Sequence, residues 1–120
     1  MIAIDFGTSR IKLSYYDPSR AQSRLMELGM DKPFVPALFY LGPDGERAYG
    51  VEAAELLETD PAGVVVALKR KLRSTRVRAN RQRATPLELL TLAFADLRQR
   101  ATEELPALPA GSTDAVTLTF

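Results

Sequence analysis

The chain has no cysteine and no histidine. Without thiols there is no disulfide framework and no thiolate metal site. Without imidazole there is no Ser-His or Cys-His nucleophile pair and no histidine base. Long apolar runs are missing as well, so no segment reaches the length needed to cross a bilayer. A carboxylate at Asp5 interrupts the N-terminus too early for a signal peptide, and the expected compartment is the cytoplasm. Acidic residues are missing from one stretch in particular. From Lys69 to Arg83 there are eight basic side chains and no Asp or Glu, although the whole chain carries a net charge of only +1. The remainder is correspondingly acidic.

Hydrophobic residues make up 46% and charged residues 26% of the 120 positions, the composition of an ordinary globular domain. A chain of this length buries roughly 65% of its extended surface, enough for one core. It is therefore one small domain or part of a larger one.

The most informative stretch is the first. Met1-Ile2-Ala3-Ile4 leads into Asp5, and Phe6-Gly7-Thr8-Ser9 follows before alternation resumes at Ile11. A short apolar run closed by turn residues predicts a buried strand ending in a tight turn. The turn combines a carboxylate (Asp5), a residue without Cβ that lets another group approach the backbone (Gly7), and two hydroxyls (Thr8, Ser9). Such a set suits a phosphate chain and its Mg²⁺, and it equally suits a plain β-hairpin turn.

Further along, Ile11, Leu13 and Tyr15 alternate with polar residues and predict a second, antiparallel strand. A third strand is expected over Arg24–Leu28, followed by a loop over Gly29–Pro33. Val35–Leu41 reads as one β-run with a proline near its start. Gly42-Pro43-Asp44-Gly45 is turn chemistry, and Arg47–Tyr49 returns to complete a hairpin. Glu52–Glu58 reads as a short helix. Asp60-Pro61 is a favoured N-cap and first-turn pair, and Val64, Ala67, Leu68 and Leu72 recur at helical spacing. A second helix carrying Lys69 is predicted there. Ser74–Ala84 has almost no apolar content and reads as a solvated loop. Thr85-Pro86-Leu87-Glu88 is a capping box opening a long helix to about Leu105, with Leu90, Phe94, Leu97 and Ala101 on one stripe. After a Pro/Gly loop over Pro106–Ser112, Ala115–Phe120 reads as a strand expected to lie beside the first one and parallel to it. A chain that stops inside an apolar strand reads as truncated.

Ile4-Asp5-Phe6-Gly7-Thr8-Ser9 resembles the first phosphate motif of the actin-like ATPase superfamily. Phe34-Val35-Pro36-Ala37-Leu38, Tyr49-Gly50-Val51-Glu52-Ala53-Ala54, and Asp60-Pro61 followed by Ala67-Leu68-Lys69-Arg70 are similar, in order and spacing, to segments of its DnaK-type (70-kDa heat-shock) chaperone branch. Asp114–Phe120 resembles that family's strand leading to its next loop. The sequence departs from the pattern at Arg10, where the family has asparagine, and in a short Ser74–Ala84 where the family has a longer β-rich insertion.

The resemblance implies an α/β fold: residues 1–120 would be the N-terminal part of a ribonuclease-H-like (actin-like ATPase) nucleotide-binding domain, with a small inserted subdomain at about 34–84. It implies ATP and Mg²⁺ as cofactors, with Asp5 linked to the metal and catalytic together with Lys69. Gly7, Thr8 and Ser9 would then meet the β- and γ-phosphates. The parent protein would be an ATPase acting on unfolded client proteins with co-chaperones, while this chain alone lacks an adenosine-binding loop and would be inactive. A sugar kinase or filament-forming actin relative shares the Asp5–Ser9 turn and predicts no lysine helix over Asp60–Arg70. A small nucleic-acid-binding module using Lys69–Arg83 is a third reading. The lack of interleaved aromatics and of any duplex-reading motif favours a solvated connector over nucleic acid for that run.

Overall fold

A computed structural model describes residues 2–28, 32–104 and 116–120. Two antiparallel strands, β1 (Ile2–Phe6) and β2 (Arg10–Asp17), start the chain. Their register pairs Ile4 with Leu13 and Phe6 with Ile11. With a side-chain period of two, that register sends Ile2, Ile4, Phe6, Ile11 and Leu13 to one face, and all five are fully buried. The third strand, β3 (Gln22–Leu25), begins two residues earlier than its alternation predicts. Ala21 turns the chain with φ 50°, which fixes the pairing of Asp17 with Gln22. Ladder bonding still continues past the strand, because the Met26 N–H donates to the Leu13 carbonyl at 2.9 Å.

The expected continuous run at 35–41 is in fact two short strands serving different sheets. β4 (Val35–Pro36) pairs with β2, and β5 (Phe39–Leu41) pairs with β6 (Arg47–Tyr49). Bonding to the first sheet still reaches past Pro36, because the Ala37 N–H donates to the Ser9 carbonyl at 2.9 Å, and the chain passes to the second sheet only after it. The β5–β6 turn is the predicted one: the Gly42 N–H donates to the Glu46 carbonyl at 2.7 Å, and Gly45 takes φ 90°. Helix α1 (Val51–Thr59) follows directly, with Gly50 at φ 68° before it.

The predicted helix from Asp60 is not formed. Pro61–Gly63 makes one 3-10 turn, Val64–Val65 forms strand β7 against β5, and Leu68–Lys71 makes a second 3-10 turn. Three consecutive valines favour the extended chain, and a sheet edge was available to receive them. Ala67 then adopts φ 52°, which helical geometry forbids.

Ser74–Ala84 is likewise not a loop. It contains a hairpin of β8 (Val77–Ala79) and β9 (Gln82–Ala84), closed by Asn80 and Arg81, both left-handed at φ 49° and 61°. Two left-handed central residues match the twist of a two-residue hairpin, and asparagine tolerates that conformation well.

Helix α2 (Pro86–Glu104) opens with the capping box as read from sequence. The Thr85 N–H donates to Glu88 Oε2 at 2.7 Å, and the Glu88 N–H donates to Thr85 Oγ1 at 3.1 Å. Its buried stripe is Leu89, Leu90, Ala93, Leu97 and Ala101, with Phe94 partly covered. The expected end at Leu105, the loop 106–112 and Asp114–Ala115 lie outside the described residues. The last strand, β10 (Val116–Thr119), pairs with β1 in parallel, matching Ile2 to Val116 and Asp5 to Thr119. The main sheet thus runs β10-β1-β2-β3, with β4 added on β2.

One apolar core joins these parts, taking Ile4 and Phe6 from β1, Phe39 from β5, Leu68 from the second 3-10 turn, Val77 and Ala84 from the hairpin, and Leu97 from α2. The architecture is a mixed α/β fold with several sheets.

Candidate functional site

The Asp5–Ser9 segment crosses from the deepest part of the core to solvent within a few residues. Phe6 is fully buried and sits at the centre of an aromatic cluster. Its ring meets Phe39, Phe94 and Phe120 edge-on, at centroid distances of 6.3, 6.1 and 5.9 Å. Those contacts fix the strand end, so the residues on either side of Phe6 have defined positions. Asp5 faces the opposite side and is exposed, as are Thr8 and Ser9.

Gly7 closes the turn, its N–H donating to the Arg10 carbonyl at 2.9 Å. A Cβ at Gly7 would lie 2.9 Å from that carbonyl oxygen, closer than real Cβ atoms come to backbone. The close approach expected at Gly7 is therefore made by the chain itself, and it leaves Thr8 and Ser9 at the tip.

Beside this turn lies the segment Phe34–Ala37. The Ala37 N–H donates to the Ser9 carbonyl at 2.9 Å, and Arg10 pairs with Pro36. The Arg10 guanidinium stands 4.4 Å from the centroid of the Phe34 ring, a cation–π distance. Two stretches far apart in sequence, 5–10 and 34–37, are thereby brought together. A groove of about 380 Å³ continues from them, with Lys32, Phe34 and Pro36 on one wall and Val51, Ala54, Glu55 and Glu58 of α1 on the other.

Lys69 is half-buried on the second 3-10 turn, next to the fully buried Leu68. Leu68 shares the core with Phe6, so the two segments are tied to one packed interior. Lys69 does not stand on a helix.

The donor set at the turn fits a phosphate–Mg²⁺ ligand in kind. Asp5 carries an exposed carboxylate with no ion pair among the described residues, and the two hydroxyls beside it have no side-chain hydrogen bond there. Mg²⁺ is commonly held by one carboxylate together with phosphate oxygens and water, so a single aspartate is enough. No cluster of three or more acidic side chains exists among the described residues to make an all-protein metal cage.

Two polar networks escaped the sequence reading. In the first, Asp60 accepts hydrogen bonds from the Tyr40 hydroxyl at 2.7 Å and from Asn80 Nδ2 at 2.6 Å. These bonds hold the Asp60 carboxyl below its ordinary value, and the same carboxylate pushes the Tyr40 hydroxyl up to about 12. Asn80 Nδ2 also donates to the Leu41 carbonyl at 3.0 Å. Gly63 lies under this knot, where a Cβ would stand 2.5 Å from Asn80 Nδ2 and from the Tyr40 ring. Asp60 thus serves as a hub between three segments and makes no helix cap.

In the second network, the Tyr49 hydroxyl donates to Asp96, and burial together with that carboxylate drives the phenol strongly upward. Arg100 pairs with Asp96 at 3.2 Å and donates to the Leu28 carbonyl at 2.5 Å. It ties α2 to the hairpin and to the segment after β3. Only the Asp96–Arg100 spacing of four could have signalled it from sequence.

The class the coordinates define is a mixed α/β protein whose first hairpin presents a carboxylate–hydroxyl turn. No family model matches the chain. Over 69 residues it is 32% identical to a chaperone protein HscA homolog of Mannheimia succiniciproducens, a stretch covering 58% of this chain and 11% of that protein. The similarity is to a chaperone of the 70-kDa heat-shock type, and it spans a small fraction of that relative's length. No helix among the described residues is long and apolar enough to cross a membrane.

Proposed function

We propose that this chain is the phosphate-binding first part of a heat-shock-type chaperone ATPase domain with a ribonuclease-H-like sheet. The observation that carries the reading is the turn after β1: an unpaired Asp5 carboxylate, Gly7 and the free Thr8 and Ser9 hydroxyls, at the end of a strand flanked by the parallel β10. The similarity to the HscA homolog supports it independently of that geometry.

In this reading ATP supplies the phosphoryl group and Mg²⁺ neutralises its charge. Asp5 would hold the metal through water, and the Thr8 and Ser9 hydroxyls would donate to the β- and γ-phosphates beside Gly7, whose own N–H is taken by the Arg10 carbonyl. Lys69 contributes a mobile point charge, suited to the oxygens on which negative charge develops. Phosphoryl transfer asks little covalent chemistry of a protein, so positioning and charge are the expected roles of these groups. Segment 34–84 is the small inserted subdomain of such a domain. Nucleotide, client proteins and co-chaperones are the corresponding partners.

The test is made in the intact ATPase that carries this segment. Lys69→Ala is expected to leave nucleotide affinity unchanged and to lower single-turnover hydrolysis by about three orders of magnitude. An equal loss of affinity and turnover would make Lys69 an ordinary binding contact. Unchanged turnover would remove it from the site altogether.

A further inference from the structure

Beyond Lys69, the basic run from Arg70 to Arg83 is not explained by nucleotide chemistry, and the structure changes what it is. Its second half is an ordered ribbon, β8–β9, and no longer a solvated connector. One face of the ribbon is fastened to the body: Val77 and Ala84 enter the core, and Gln82 Nε2 donates to the Pro43 carbonyl at 2.9 Å. The Asn80 N–H donates to the Ala62 carbonyl at 3.2 Å, in addition to the Asp60 knot at its side chain.

The other face carries charge. Arg78 and Arg83 are directly opposite each other in the register and both are exposed. Like charges facing across a strand pair destabilise a hairpin, so this pairing costs the isolated fold stability. All seven cations from Arg70 to Arg83 are exposed, and none forms an ion pair among the described residues. None of the exposed large apolar side chains lies between Lys69 and Arg83 either.

We infer that this face binds the phosphate backbone of double-stranded nucleic acid without reading its sequence. A protein partner would need a buried apolar anchor, and the face offers none. A single strand would need aromatic platforms, and these are absent too. Exposed guanidiniums held on an ordered ribbon, with further cations leading up to it, suit phosphate oxygens and gain affinity by releasing counterions. Duplex DNA and duplex RNA share this chemistry.

The experiment is fluorescence anisotropy of the 120-residue chain with labelled 20-base-pair DNA and RNA duplexes, single strands of the same sequence, and poly-glutamate as competitor. If about four phosphates are neutralised, affinity for one or both duplexes falls about 10²-fold between about 50 and 200 mM salt. R78Q/R83Q should weaken duplex binding at least about tenfold, with an unchanged far-ultraviolet circular dichroism spectrum, while R78K/R83K keeps most of it. The relative affinity for the two duplexes identifies the source. Absence of duplex binding at low salt, unchanged binding by folded R78Q/R83Q, or tighter binding of single strands or poly-glutamate than of duplex overturns the inference. None of these residues belongs to the proposed nucleotide turn, so failure here leaves that reading intact.

Discussion

The sheet-and-helix half (β1, β2, α2, β10) and the segment from Asp60 to Ala84 are built on opposite principles. In the first, each element is specified by its own residues. Ile11 and Leu13 alternate with polar neighbours, the Thr85–Glu88 box caps the helix with the reciprocal bonds it encodes, and the α2 stripe meets the sheet that the strands present. In the second, almost nothing is specified locally. Two 3-10 turns, a two-residue strand and a hairpin of two three-residue strands hold their shape because Asp60, Asn80 and Gly63 lock them against Tyr40 and Leu41. Where local and tertiary preference agree, periodicity is a sound guide to structure. Where elements are shorter than a helical turn or a strand repeat, contacts made elsewhere decide.

This contrast can be broken at either end. The largest effect is expected in the first half: Leu97→Ala removes a fully buried side chain between α2 and the sheet and should cost about 3 kcal/mol in urea unfolding. Circular dichroism should show helix and sheet lost in a single transition, since one core joins them. Separate transitions would mean that the two regions are independent units.

Gly63→Ala should come next. The added methyl meets the Leu41 carbonyl at 2.7 Å as well as the Tyr40 ring, and backbone cannot move aside as a flexible side chain can. Overpacking of this kind costs about 2 kcal/mol. Protection of the β8–β9 amides against hydrogen exchange should fall more than protection in β1–β2. A uniform loss would show that the Asp60 knot does not hold the hairpin specifically.

The smallest effect concerns pH. Asp60 has its folded-state carboxyl pKa depressed, first by the Tyr40 hydroxyl and then by Asn80. A depressed carboxylate contributes stability that is present above its ordinary value of 3.8 and is lost as pH falls through the folded-state value. Asp17 and Glu88 are shifted in the same direction, so acid sensitivity of the whole chain does not isolate Asp60. Asp60→Asn does: its urea midpoint should vary less with pH in the acid range than that of the unaltered chain. Identical pH profiles would show that Asp60 is no hub.

Misreadings in the 60–84 segment have specific causes. Val64, Ala67, Leu68 and Leu72 have helical spacing, but Val64–Val66 also suit an extended chain, and only the free edge of β5 resolves the ambiguity. Asp60-Pro61 is a genuine helix-start signal whose carboxylate was taken by Tyr40 and Asn80, residues twenty positions away on either side. Ser74–Ala84 lacks apolar content because a hairpin that rests on a body needs only one inward side chain per strand, here Val77 and Ala84. Asn80 was its one local signal, an asparagine able to take the left-handed conformation.

The candidate site divides along the same line. Asp5, Gly7, Thr8 and Ser9 fall within five consecutive positions, so sequence alone placed them at one strand end and the turn that follows it. Sequence could not show that Phe6 would be its anchor, or that Phe34–Ala37 would lie beside it, because both depend on side chains from distant segments converging on one core. The capping box, the alternating strands and the buried face of α2 were determined by residues no more than a few positions apart, where backbone geometry alone fixes which side chains meet. The course of residues 60–84, the half-buried setting of Lys69 and the outward row of arginines were decided only by tertiary structure. Their local free-energy differences are small, and the contacts that tip them come from β5, from Tyr40 and from the shared core.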